Sequence, residues 1–323
     1  MNITNYVKEF GDRPFAFYNM NYSDVMVLTA LSYVDFSIVS RDFTAQITLR
    51  DAIDQLFSFS IQIPEKKKEL LLGLRESKRF SNLLLSGYRN ELDDLENPGQ
   101  FSAVTIQISD FLYFISYSGT DGTIIGWKED FQFSYLSQTT AQEKALQYLK
   151  EAADTLKGSF ILSGHSKGGN LAAYAAIFAE ETLQNRLHSV FCNDAPGFNK
   201  NMKAFDCDGY YRIADKIHCI IPQNSIFGQL LQIFPSKHYF VIFSKAKNLL
   251  LEHDIFNWQI DENGQPNWLE HVNGATKIVV RKINHTIGAM SMQQREIFTN
   301  NMFKWMENKN ISHLEQIKLY FSI

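Results

Sequence analysis

The sequence predicts an α/β protein: a largely parallel central sheet flanked by helices, with a mainly helical region before it. Three observations carry this. Short β-rich runs at 112–117, 159–163, 189–193, 217–221 and 239–244 are separated by helical or loop stretches, the pattern of a parallel sheet covered on both faces. Gly164-His165-Ser166-Lys167-Gly168 joins one of these runs to an alanine-rich stretch at 170–176, so a strand, a sharp turn and a helix follow one another. Residues 1–100 read mainly as helix. The expected boundaries are 1–100 for a helical region packed on the core, 101–308 for the core and 309–323 for a C-terminal tail.

Along the chain, Tyr22-Ser23-Asp24 caps a segment in which Val25, Met26, Leu28, Leu31 and Val34 recur at helical spacing. Residues 64–96 continue as charge-rich helical pattern up to Asn97-Pro98-Gly99, a loop signal. Residues 103–108 and 112–117 read as two strands around a turn at Ser109-Asp110. A helix is expected over 139–157, and another over 290–308, where Met292, Ile297, Phe298, Met302, Phe303 and Met306 recur.

At 323 residues, 45% hydrophobic and 20% charged, the chain has an ordinary globular balance and can bury a large core. A net charge of −4 gives no electrostatic footprint for nucleic acid. Lys66-Lys67-Lys68 with Arg75, Lys78 and Arg79 form a basic cluster. It reads first as a solvated helix face and second as a phospholipid-headgroup contact. Cys192, Cys207 and Cys219 are odd in number and lack metal-like spacing. They point to a reducing compartment, so a cytoplasmic location is expected, although leaderless export would fit the same residues. The N-terminus lacks the basic and apolar regions of a signal peptide. No run of about 18 apolar residues predicts a transmembrane segment.

The chemistry centres on Ser166. Gly164 and Gly168 leave room for a tight turn in which a strained serine presents its hydroxyl outward. The following helix aims free N–H groups at the place where an oxyanion would form. A serine hydroxyl needs a histidine to take its proton and an acid to orient that histidine. When the serine stands on such a strand–turn–helix, both partners are expected downstream. Of eight histidines, His165 adjoins the serine and should point away and pack. His238 begins a strand, and His285 precedes the last helix. His253, in a polar turn after the run at 239–244, is the expected base, against the alternative of a loop histidine bonded to Asp254. Asp194, at the C-terminal end of the run at 189–193, is the expected acid, against that of a loop aspartate capping backbone N–H groups. Asp215 lies at the wrong end of its strand, and 223–225 contain no carboxylate. Thr120, in the Ser118-Gly119-Thr120 turn, and Lys167 are the expected oxyanion donors.

These motifs resemble class 3 lipases. Ser118-Gly119-Thr120 followed by Trp127-Lys128-Glu129-Asp130-Phe131 is similar to that family's Arg-Gly-Thr turn and tryptophan–aspartate segment. Gly164-His165-Ser166-Lys167-Gly168-Gly169 is similar to its Gly-His-Ser-Leu-Gly-Gly elbow. Tyr6, Asn21-Tyr22-Ser23-Asp24, Leu31-Ser32-Tyr33, Asp194-Ala195-Pro196-Gly197-Phe198, residues 221–228 and His253-Asp254 with Trp258 resemble the Mbeg-like bacterial branch. The resemblance implies an α/β-hydrolase fold and a serine esterase or lipase constellation. There are three departures. Ser118 replaces the arginine. Lys167 replaces the usual leucine and sets a cation beside the nucleophile, to meet an anionic substrate or reach solvent. The stretch that would carry the acid reads Asn224-Ser225-Ile226-Phe227, so either the acid has moved to Asp194 or the triad is incomplete.

Over residues 225–234, apolar side chains, with Ile226, Phe227 and Leu230 foremost, recur at helical spacing. They read as a core-facing helix or as a lid or acyl-pocket wall binding substrate. The expectation is a serine esterase or lipase-like hydrolase acting on an acyl ester, with phospholipid among its candidate substrates. It needs no metal or other cofactor and is compatible with peripheral membrane contact. The alternatives are a non-catalytic binding or regulatory protein on the same fold, or a thioesterase or peptidase.

Overall fold

The computed structural model describes residues 1–59, 62–246, 248–313 and 316. The N-terminal helices are α1 (Ile3–Phe10), α2 (Tyr22–Ala30), α3 (Leu49–Ser58) and α4 (Glu65–Glu76), with the short strand β1 (Ile47–Thr48) before α3. There follow β2 (Leu84–Leu92), β3 (Gln100–Ser109), β4 (Leu112–Tyr117), α5 (Ile124–Gln132), α6 (Thr140–Thr155), β5 (Ser159–His165), α7 (Lys167–Phe178), α8 (Glu181–Gln184) and β6 (Leu187–Asn193). The chain continues through α9 (Asp208–Ile213), β7 (Ile217–Pro222), β8 (His238–Ile242), α10 (Leu249–His253), β9 (Trp268–Leu269), α11 (Gly274–Ala289) and α12 (Met292–Asn308).

Strands β4 to β8 are parallel, and sheet order follows chain order from β1 to β9. Strands β1–β3 and β9 close the two edges in antiparallel pairing. This is the α/β-hydrolase architecture, in which a central parallel sheet is covered on both faces. The strand period of two is what splits the core. Phe160 and Leu162 of β5, Val190 and Cys192 of β6 and Cys219 of β7 enter the cluster under α6 and α7. Ile161, Phe191 and Ile220 point the other way, into the cluster beneath the N-terminal helices.

Part of the segment read as helix over 64–96 is strand. Helix α4 stops at Glu76, and β2 pairs with β3. Leu85 and Tyr88 are buried there, and strand pairing overrides the charge-rich pattern around them. The expected helix at 290–308 is α12, capped by a reciprocal Ser291–Gln294 box. Helix α11 before it was not anticipated. Only Thr276 and Val280 of its side chains are buried, so it lacks the apolar stripe that announces a core helix.

Helix α2 begins in a capping box of Asn21 and Asp24, one residue ahead of the expected cap. Asp24 is fully buried and accepts bonds from the Tyr6 hydroxyl (2.9 Å) and from Arg79 Nε (2.7 Å) and Nη2 (2.5 Å). Arg79 therefore does not belong to a solvated basic face. A charge this deep is tolerable because it is paired and fully hydrogen-bonded. The far end of α2 reaches the sheet through Thr29, whose hydroxyl bonds the Ser163 hydroxyl (2.6 Å) three residues before Ser166.

Candidate active site

Ser166 sits between β5 and α7 with φ 57° and ψ −128°, a conformation that L-residues adopt only under constraint. The constraint is local. A side chain on Gly164 would collide with the backbone of Gly168, and one on Gly168 with the carbonyl of Tyr117. The Ser166 N–H donates to the Asn193 carbonyl (2.9 Å), and its own carbonyl accepts from Gly169 N–H (3.0 Å). The turn is thereby stitched to β6 and to the first coil of α7.

Asp194 follows β6 directly, also at positive φ (46°), and is fully buried. Its N–H donates to the Ile220 carbonyl (2.7 Å). One carboxylate oxygen lies 2.6 Å from His253 Nδ1. The other accepts from the Ser225 hydroxyl and from Gly228 N–H (3.0 Å). The His253 ring is held by Asp194 and flanked by Phe227 and His165, whose ring centres lie 4.2 and 4.4 Å away. Ser166 and His253 line one cavity. Among the described residues no hydrogen bond joins them, and such contacts commonly tighten only when substrate arrives.

His165 packs against His253. Its Nε2–H donates to the His253 carbonyl (2.7 Å), so Nδ1 is the acceptor for the Tyr33 hydroxyl (2.7 Å). These partners assign the neutral tautomer. Burial, with the neighbouring His253 as the second cause, pushes the His165 pKa down to about 3. Tyr33 in turn lies so close to Gly119 that a side chain there would strike its hydroxyl.

The Thr120 hydroxyl donates to Asp130 (2.6 Å), so of its donors the backbone N–H remains available, unbonded among the described residues. Lys167 is the first residue of α7, where an N–H has no intrahelical acceptor. Neither expectation for the Lys167 cation holds. Its ammonium meets neither solvent nor substrate, because the side chain is fully buried. It bonds Glu129 (3.1 Å) and the Gln100 carbonyl (2.7 Å). Glu129 also accepts from the N–H groups of Gln100 (3.0 Å) and Ala141 (2.6 Å). Adjacent carboxylates of α5 thus hold the side chains of both candidate oxyanion residues. Asp130 has one buried oxygen without a partner, and burial, opposed by Lys167 and the Thr120 bond, raises its pKa to about 6.

The cavity has a volume of about 860 Å³ and a largely apolar wall. Trp127, Phe131, Phe227, Leu230, Ile283 and Ile287 contribute to it, along with Thr120 and Asp130. Ile226, expected to bind substrate, is not on the wall. The helix expected across 225–234 is one 3-10 turn, Phe227–Gln229, after which Gln232 bridges to Phe198. That bridge pulls the segment out of helical geometry. Asp254 turns away from the imidazole to pair with Lys66 (3.0 Å). His238 stacks on His218, His285 is exposed, and Asp215 pairs with Lys237 at the surface. Glu129 and Asp130 are signalled only by the tryptophan–aspartate segment and Tyr33 only by the Leu31-Ser32-Tyr33 resemblance, and α11 carries no sequence signal of a role at the site. Among the described residues no cluster could hold a metal ion, and no helix is long and apolar enough to cross a membrane.

The family model described as Mbeg1-like matches residues 74–304. The chain belongs to the Mbeg1-like family. The match spans α5, the elbow, Asp194 and His253, so this Mbeg1-like chain carries every residue of the candidate site except Tyr33 and the N-terminal part of the cavity wall inside the matched region. The solved structure titled "Crystal structure of M37 lipase" is similar at 15% identity over 65% of this chain and 69% of that one, with a TM-score of 0.39. No curated protein matches.

Two outcomes test this description. Glu129→Gln leaves Lys167 as an uncompensated buried cation and is expected to cost about 3–5 kcal/mol in chemical denaturation. Removing the cation as well, in Lys167→Met with Glu129→Gln, should recover part of that loss, since the amide can still take one of the N–H groups of Gln100 and Ala141. Equal stability of the single variant and the wild type would contradict the buried pair. For His165, the folded pKa lies below the ordinary 6.5, so the unfolded chain takes up a proton that the folded chain refuses. Its contribution is present above about pH 6.5 and is lost as pH falls toward 3. Thermal melts from pH 7.5 to 4.5 should show a shallower acid decline in His165→Gln than in the wild type.

Proposed function

We propose that the protein is a serine esterase acting on carboxylic esters that carry an acyl chain. The observation that carries this reading is the 2.6 Å bond between buried Asp194 and His253 on the wall that also presents Ser166 from its strained turn. In this reading Ser166 Oγ attacks the ester carbonyl while His253 Nε2 accepts its proton. Asp194 keeps the Nδ1–H pointed at itself and stabilises the imidazolium that forms. The carbonyl oxygen becomes an oxyanion that takes hydrogen bonds from the N–H groups of Lys167 and Thr120. His253 returns the proton to the departing alkoxide, and water then releases the acyl group from Ser166 by the same steps.

The cavity argues for the acyl chain. Its volume falls within the roughly 300–1,000 Å³ of small-molecule sites, and its wall offers few polar partners beyond those at the reacting centre. Phe227 and Leu230 act as acyl-pocket wall in this reading, and Ile226 does not.

The test is hydrolysis of p-nitrophenyl esters of graded chain length, alongside labelling by a fluorophosphonate probe. The expected result is modification of Ser166 and a fall in kcat/KM of about 10³-fold or more for each of Ser166→Ala, His253→Ala and Asp194→Asn. A folded wild-type protein that neither labels nor turns over any ester would sink the proposal and favour a binding protein. Preference for thioesters over matched esters would move it to a thioesterase.

A further inference from the structure

One charged group on the cavity wall has no part in this chemistry. The Lys167 cation is spent on Glu129, Lys66 is paired with Asp254, and Asp130 takes the Thr120 hydroxyl. Glu65 is exposed at the rim. Lys67 differs from all of these. Among the described residues no carboxylate lies within ion-pair distance of it. Its ammonium donates to the Tyr33 carbonyl (2.8 Å) and lies 5.7 Å from the centre of the Tyr33 ring. An ammonium has three N–H donors, and that carbonyl takes one.

We propose that Lys67 is a subsite for an anionic group, phosphate or carboxylate, borne by the acyl substrate. The proposal rests on the esterase reading and narrows it to anionic single-chain amphiphiles. Tyr33 sets the geometry, because its carbonyl holds Lys67 while its hydroxyl holds His165 beside the elbow. The ammonium therefore stands one tyrosine away from the residue preceding Ser166. A charged group in so apolar a wall is costly without a direct partner, and burial pulls the Lys67 pKa down, with the more distant Asp254 charge pulling the other way. An anionic ligand offsets that cost through charge-assisted hydrogen bonds, which a neutral headgroup cannot supply. Helix α11, which contributes Ile283 and Ile287 to the wall, carries exposed Lys277, Arg281 and Lys282 and no carboxylate.

The experiment compares hydrolysis of lysophosphatidylglycerol and a monoacylglycerol of the same chain length. The anionic substrate should be preferred by about tenfold or more in kcat/KM. Lys67→Gln should reduce that preference about tenfold, Lys67→Arg should keep most of it, and exposed Lys68→Gln should leave the ratio where it was. A second arm uses Ser166→Ala protein and measures binding of dodecyl phosphate against dodecyl maltoside by calorimetry, with inorganic phosphate as competitor. Lys67→Gln in that background should weaken dodecyl phosphate alone by about tenfold. Competition by inorganic phosphate at equal concentration would instead identify a site for the free anion and overturn the substrate assignment. Ester turnover with a ratio indifferent to Lys67 overturns the subsite and leaves the esterase reading standing. Lys67-dependent binding of dodecyl phosphate without turnover of any ester does the reverse.

Discussion

The turn at Ser166 holds its backbone at φ 57° against the steric preference of an L-residue, and the site is arranged around what keeps it there. Strands β4, β5 and β6 converge on the turn. Gly164 and Gly168 allow backbone to approach backbone, and the N–H of Ser166 is tied to Asn193 at the end of β6. The same strand end then delivers Asp194, also at positive φ. A parallel sheet makes this possible because the C-terminal ends of neighbouring strands lie side by side, so loops from distant parts of the chain meet at one edge. The sheet is in turn held from behind by α2, through Thr29 on Ser163, and α2 is itself tied to the segment after α4 by the buried Asp24–Arg79 pair.

Charge at the site is organised by burial. Asp194 has no exposure, and its oxygens are shared among His253, Ser225 and Gly228, so nothing competes for the imidazole. Ser225 stands in the stretch where class 3 lipases would carry the acid, and here its hydroxyl serves the carboxylate that β6 supplies. Helix α5 plays a similar part on the opposite side, with Glu129 under Lys167 and Asp130 under Thr120. His165 completes the frame as a neutral spacer between Tyr33 and the His253 backbone. Each of these groups is costly in isolation and tolerable in company, which ties the precision of the site to the integrity of the core around it.

The apolar cavity and the Lys67 ammonium give the proposed esterase a division of labour. Aromatic and aliphatic side chains from α5, the 227–231 segment and α11 form a wall suited to a chain-like ligand, while the charged groups lie at the reacting centre and along the 65–67 and Asp254 side. Helix α11 walls this space with little of itself buried. It is held through Asn284, whose side chain bonds the backbone of Gln229 and Leu231.

The sequence by itself determined the class of the sheet, the strand–elbow–helix around Ser166 and the chain order that brings Asp194 and His253 together in space. These are written in local signals: alternating apolar runs, glycines flanking a serine, a carboxylate at a strand end. It misread residues 84–92 as helix and 225–234 as a longer helix, because strand pairing with β3 and the Phe198–Gln232 bridge come from distant partners. It also left the Lys167 cation facing solvent or substrate. Only the tertiary structure decided that this cation turns inward to Glu129, that His165 braces His253, and that among the described residues no carboxylate comes within ion-pair distance of Lys67. Those outcomes depend on which buried groups lie within hydrogen-bonding reach across 30 to 90 residues of chain, and local pattern carries no record of that.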